Sequence, residues 1–146
     1  MSAPVRTSRA GDLLLEDAIR FDELASALSK AALEKKALDL AILDMRNLVS
    51  YTDAFVLCTA TNPRQVKAIA EYVREVAKKD FGRTPTGTEG SESSRWILVD
   101  FGDVVVHVFD GALRGFYNLD GLWADAPRLP VPHVEGVTTS EQFFGL

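Results

Sequence analysis

Apolar side chains in this chain recur first with the period of a helix and then with that of a strand. Phe21, Leu24, Ala25, Leu28, Ala31, Ala32 and Leu38 fall close to helical spacing in an Ala-, Glu- and Lys-rich segment, which predicts a helix from about Asp22 to Lys36. A strand follows at Leu38–Met45, then a polar break at Arg46-Asn47, then a second strand at Ala54–Thr59. Asn62 suits an N-cap, Pro63 the first helical position and Gln65 the capping-box position, so a second helix starts there. Val66, Ile69, Ala70, Val73, Val76 and Ala77 form its apolar face, while Glu71, Glu75 and Lys79 follow one another at spacing four along a solvated one. Phe81 to Ser94 reads as a loop punctuated by Gly82, Pro85, Gly87 and Gly90.

The densest pattern lies just beyond. Two apolar, β-branched runs joined at Phe101-Gly102-Asp103 predict a β-hairpin between Ser94 and Phe109. In the first arm Trp96, Leu98 and Asp100 share one face, and Ile97, Val99 and Phe101 share the other. Val and Phe fill nearly all of the second arm, as in a central strand covered on both faces. An indole in line with a carboxylate suits a docking surface; the same residues also fit a Trp half-buried at the edge of a core. A short helix is predicted at Ala112–Tyr117, and Leu119–Trp123 is apolar enough to fold back onto the sheet. From Pro127 on there is no periodic pattern, only Pro130, Pro132 and Gly136. The expected division is a loose segment over 1–21, a domain over 22–128 and an extended or disordered tail over 129–146. The helix after the second strand is a right-handed crossover candidate joining the second and third strands as parallel neighbours, and the hairpin adds an antiparallel pair. The expected class is α/β, a mixed sheet flanked by helices.

Composition narrows the function. The chain has 146 residues, one domain's worth, and is 47% hydrophobic, enough for one sizeable core. No apolar run approaches the roughly 20 residues a bilayer requires, and no signal peptide is visible. A lone Cys58 cannot form an internal disulfide, which fits a reducing compartment. The net charge is −5, and it is unevenly spread: after residue 88 only Arg95, Arg114 and Arg128 stand against nine acids. Gripping nucleic acid requires clustered Lys and Arg, so direct DNA binding is not expected, and an acidic face calls for a basic partner.

Little chemistry is legible. His107 and His133 are isolated and Cys58 sits in an apolar strand, so no spacing suits zinc, and His107 reads as a hydrogen-bonded structural histidine. Gly87-Thr-Glu-Gly90 lacks the Lys-Ser/Thr ending of a phosphate-binding loop. Asp100 and Asp103 would suit a divalent metal as a pair, as carboxylates do in nucleotidyl transfer, yet no Gly-Ser motif precedes them. Neither a catalytic residue nor a cofactor or metal is expected.

Taken together, Leu43-Asp-Met-Arg, Tyr51-Thr-Asp-Ala-Phe-Val, Thr59-Ala-Thr-Asn, Gly87-Thr-Glu-Gly, the block from Trp96 to Phe109 and Leu119-Asp-Gly-Leu-Trp-Ala-Asp-Ala-Pro resemble the ribosomal silencing factor, or Iojap-like, family. The likeness covers about residues 22–128. It implies a nucleotidyltransferase-like sheet without the catalytic motif. It further implies a cytoplasmic, non-enzymatic factor that binds the large ribosomal subunit through large-subunit ribosomal protein fourteen. Such a factor blocks association with the small subunit and represses translation when nutrients are scarce. The implied contact has Trp96, Leu98 and Phe101 as its apolar centre and Glu89, Glu92, Asp100 and Asp103 as its acidic rim. Strict alternation sets Phe101 on the other face, so its part requires the turn to swing its ring round. A homodimer is expected when the factor is free. Two other classes stay open: a nucleotidyltransferase-like enzyme, and a ribosome-assembly interaction module with another partner.

Overall fold

The computed structural model describes residues 11–90, 95–117, 121 and 123–134, with 11–20 and 115–117 described by their backbone course alone. Helix α1 spans Gly11–Glu34, strand β1 Leu38–Asp44, β2 Ala54–Ala60, helix α2 Pro63–Phe81, β3 Gly87–Glu89, β4 Trp96–Asp100, β5 Val104–Asp110, helix α3 Gly111–Tyr117 and β6 Arg128–Leu129. The strands form one mixed sheet in the order β3-β4-β5-β2-β1-β6. Only β2 and β5 run parallel, paired from Ala54↔Val104 to Ala60↔Asp110; the other neighbours are antiparallel. The crossover through α2 therefore reaches its parallel neighbour at the fourth predicted strand, because the Trp96 strand doubles back as a hairpin arm.

Strand alternation sorts the core into two sides. Val56 and Cys58 of β2, Ile97 and Val99 of β4, and Val104, Val106 and Val108 of β5 pack with α1 and α2 on one side. Phe55 and Leu57, Val105 and Phe109, and Ala41 and Leu43 of β1 face the other. Helix α1 contributes Leu24, Leu28 and Ala32, all fully buried at helical spacing, and α2 contributes Val66, Ile69 and Val73. β2 and β5, covered on both faces, are buried along nearly their whole length, which explains their unbroken apolar runs.

The two helices are tied where α1 ends and α2 begins. Asn62 Oδ1 accepts from the Gln65 amide at 2.8 Å, as an N-cap should. Gln65 Oε1 reaches back to the amide of Thr61 rather than that of the cap, and Gln65 Nε2 donates to the carbonyls of Lys35 and Lys36 at 3.1 Å each. One side chain thus meets carbonyls at the end of α1 and the amide of the residue before the N-cap of α2.

Three elements differ from the sequence-based expectation. α1 starts at Gly11, ahead of Asp22, because Leu13-Leu-Leu-Glu-Asp-Ala-Ile is itself a run of mostly good helix formers. β3 lies inside the expected loop, with Glu89 paired to Leu98. β6 lies where a tail was expected: Arg128 and Leu129 pair with Leu43 and Ile42, and Val131 and Val134 pack against the helix-side core. Strands this short leave no periodicity to read, and flanking prolines are tolerated because β6 is an edge.

α1 closes with a left-handed residue that is not glycine. Lys36 has φ +70°, with its N–H bonded to Leu33 O and that of Ala37 to Ala32 O, the Schellman pattern. A Cβ in this conformation costs about 1 kcal/mol. Lys36→Gly is therefore expected to stabilise the fold by about that amount and raise the thermal midpoint by about 3 °C. An unchanged or lower midpoint in a calorimetric scan would show that this turn is not strained.

Candidate functional site

The face of the sheet opposite α1 and α2 carries no helix over β4 among the described residues. On β4 the residues exposed to that side are Trp96, Leu98 and Asp100, each half-buried, while Ile97 and Val99 are fully covered on the other. Cross-strand pairing extends the row. Glu89 of β3 lies opposite Leu98 on the outer flank, and on the inner flank Trp96, Leu98 and Asp100 lie opposite Phe109, His107 and Val105. The result is a strip of apolar surface with one carboxylate, Asp100, at its turn end and another, Glu89, on its outer flank beside Leu98. Asp100 Oδ1 also accepts from the Gly102 amide at 2.8 Å, which fixes the start of the hairpin turn.

Beneath the strip lies an aromatic cluster. The Trp96 ring is 5.1 Å from Phe109, and its Nε1–H donates to His107 Nδ1 at 3.3 Å. His107 in turn stacks on Phe109 at 5.8 Å and meets Phe55 edge-on at 4.7 Å; Trp123, folding back as expected, sits 5.9 Å away. The expected hydrogen-bonded structural histidine is what the structure contains. Burial among these rings lowers the imidazole pKa to about 4.

Two expected residues of the site lie elsewhere. Phe101 is 3% exposed and belongs to the helix-side core, as strict alternation dictates. Its ring does not swing round, because its N–H pairs with Val104 O at 2.9 Å and its carbonyl accepts from Arg83 Nη2 at 2.8 Å, which together hold the pleat into the turn. Asp103 is committed to the same arginine: its carboxylate pairs with Arg83 Nη2 at 2.6 Å, and its carbonyl accepts from the amides of Asp53 and Ala54. Glu92 lies outside the described residues.

Sequence reading missed Tyr51. It is 53% exposed, its ring is 6.2 Å from Phe55, and burial together with the Asp100 charge raises its phenol pKa. It therefore extends the strip toward Asp100 from the β1–β2 connection, where Leu48 is also exposed. The available signal was a bulky aromatic just outside a strand, which by itself does not say which side of the sheet it joins.

Among the described residues no three of His, Cys, Asp and Glu gather to hold a metal ion. Burial pushes the Cys58 thiol up to about 12, so it packs as a small apolar group. Among the described residues no helix is long and apolar enough to cross a membrane.

The fold and face together define a two-layer α/β domain with one side sealed by helices and the other presenting half-buried aromatics beside carboxylates. The family model described as ribosomal silencing factor during starvation matches residues 18–143, and the chain belongs to that family. It is 40% identical over 115 residues to a ribosomal silencing factor of Halalkalibacterium halodurans, covering 79% of this chain and 95% of that one. A crystal structure of a Chromobacterium violaceum protein superposes with a TM-score of 0.68 at 33% identity, covering 84% of this chain and 98% of that one. A more distant relative, a Mus musculus protein named for mitochondrial assembly of the ribosomal large subunit, is 29% identical over 92 residues, 62% of this chain and 40% of its own length.

The buried imidazole sets a pH dependence. Its pKa falls from the ordinary 6.5 to about 4 on folding, so between these values the unfolded chain binds a proton that the fold refuses. This contribution is complete above pH 6.5 and is lost as the pH falls toward 4, by at most about 1.4 kcal/mol per unit. Urea midpoints measured between pH 7 and pH 5 are expected to fall for the native chain and to fall less for His107→Phe. Parallel curves would mean that His107 accepts its proton in the fold.

Proposed function

We propose that this chain docks on a basic protein of the large ribosomal subunit, large-subunit ribosomal protein fourteen. By covering that surface it keeps the small subunit from joining and so represses translation under nutrient limitation, in the cytoplasm and without catalysis. The observation that carries this reading is the half-buried Trp96 and Leu98, with Glu89 beside Leu98 and Asp100 at the end of the same strand, in a member of the silencing factor family. Aromatic side chains dominate protein interfaces because they bury large areas at low entropic cost. The charge fits as well: nine acids against three arginines beyond residue 88 are repelled by ribosomal RNA and attracted to a basic protein. Glu92 belongs to the proposed rim by sequence; Phe101 and Asp103 support the face from behind.

Trp96→Ala is expected to weaken binding to purified large subunits about thirtyfold, the equivalent of about 2 kcal/mol, in cosedimentation. Glu89→Lys is expected mainly to slow association and to reduce its salt dependence. Phe101→Ala serves as the contrast: it should cost about 3–5 kcal/mol of stability, because it empties a core site. A folded Trp96→Ala chain that still excludes the small subunit at wild-type concentrations would remove this surface from the reading.

The name of the mouse relative favours a second reading, in which the same face acts while the large subunit is being assembled. Loss of the protein would then accumulate incomplete large-subunit particles under rich growth, whereas the silencing reading places the defect under starvation.

The aromatic strip also gives the free chain a reason to self-associate, and we propose a homodimer in the absence of the ribosome. Light scattering at tens of micromolar is expected to give twice the monomer mass, less so for Trp96→Ala if this face is used. A monomeric mass throughout would end that proposal.

A further inference from the structure

We infer that His107 is a positioning residue of the docking face: its Nδ1 takes the indole proton of Trp96 and fixes the ring in the orientation presented to the partner. This rests on the docking reading above and assigns a role to a residue that reading does not use.

The geometry is specific. His107 stands on central strand β5 directly opposite Leu98, one diagonal step from Trp96, whose own cross-strand partner is Phe109. The indole packs against its own partner, with 5.1 Å between the Trp96 and Phe109 ring centroids. Its N–H edge turns toward the imidazole, 6.2 Å away between centroids, and the 3.3 Å bond from Nε1 to Nδ1 spans that diagonal. An indole N–H can only donate, so the accepting nitrogen must be bare and the imidazole neutral, which agrees with its burial.

The other ring nitrogen makes the assignment informative. With Nδ1 accepting, the proton sits on Nε2, which is buried and has no hydrogen-bond partner. His107 is only 4% exposed, so Nε2 does not open onto bulk solvent. A buried donor left unmet costs stability. A phenyl ring would stack on Phe109 and meet Phe55 without that cost. What the imidazole adds at this position is one acceptor, and it is spent on Trp96. The β4–β5 ladder already holds the strands together, so the bond is not needed for pairing; it selects among the rotations open to a half-buried indole.

The test compares His107→Phe, His107→Asn and His107→Gln with Trp96→Ala. An Asn side chain places an oxygen where Nδ1 stands, whereas Gln places its amide nearer the Nε2 position. Two readouts are taken: cosedimentation with purified large subunits, and exchange of the Trp96 indole N–H by NMR, its resonance assigned by its absence in Trp96→Ala. His107→Phe is expected to keep its fold, to speed indole exchange about tenfold and to weaken binding roughly five- to tenfold. Asn should restore both and Gln neither. If His107→Phe fails to fold, the Asn–Gln pair carries the comparison, and equal behaviour of the two overturns the inference. Wild-type indole exchange in His107→Phe overturns it, as does wild-type binding by that variant while Trp96→Ala loses binding; the docking reading then stands. If Trp96→Ala itself binds as wild type, the docking reading fails and this inference with it.

Discussion

Everything on the candidate face depends on the register of β4 against β5. Trp96↔Phe109 and Leu98↔His107 set the aromatic and aliphatic residues of β4 toward the helix-free side, and Ile97 and Val99 toward α1 and α2. A slip of one residue would exchange the two sets, exposing two apolar side chains and forcing an indole and a carboxylate into the helix-side core. The register is pinned at the turn. Gly102 takes φ +92°, Asp100 caps its amide, and Arg83 clamps both Asp103 and the Phe101 carbonyl. At the far end Gly90 passes so close to the Trp96 carbonyl that any side chain there would collide with it.

Three polar side chains, Arg114, Arg83 and Gln65, join pieces of chain that the strand ladder leaves separate. Arg114 of α3 is 8% exposed and donates to both Asp39 O and Thr59 Oγ1, at 2.7 and 2.8 Å. Asp39 lies where β1 shifts register against β2 and has φ +49°, so the guanidinium anchors an irregular turn to the end of the central strand. Arg83 does the same for the hairpin turn, as Gln65 does for the helix pair. His107 differs because its partner, Trp96, is a residue of the face rather than of the frame.

These features make the domain asymmetric in a way that suits steric action. One side is a conventional helix-covered core; the other holds a second, smaller cluster topped by half-buried Trp96, Leu98 and Trp123 with Tyr51 beside them. Carboxylates near such a strip favour encounter with a basic surface without having to be desolvated at its centre. The steric action proposed above needs a rigid body, and a sheet whose central strands are buried on both faces supplies one.

The sequence alone determined the elements with long periodic runs: α2 with its cap, both central strands, the hairpin and the faces of β4. It also carried the family, through the ordered block from Trp96 to Phe109. These are local properties, set by side-chain period and turn chemistry within a few residues. What it did not determine depends on distant partners. β3 and β6 are strands only because β4 and β1 offer them an edge, and the parallel mate of β2 is β5 because the hairpin arm folds between β3 and β5. The position of Phe101 was readable from alternation, but Arg83, eighteen residues away, decides that the turn leaves it there. Tyr51 joined the face, and His107 acquired the Trp96 indole, only when the tertiary fold brought the β1–β2 connection and β5 beside β4. Hydrogen bonds between strands follow from register, and register is a property of the packed sheet rather than of either strand.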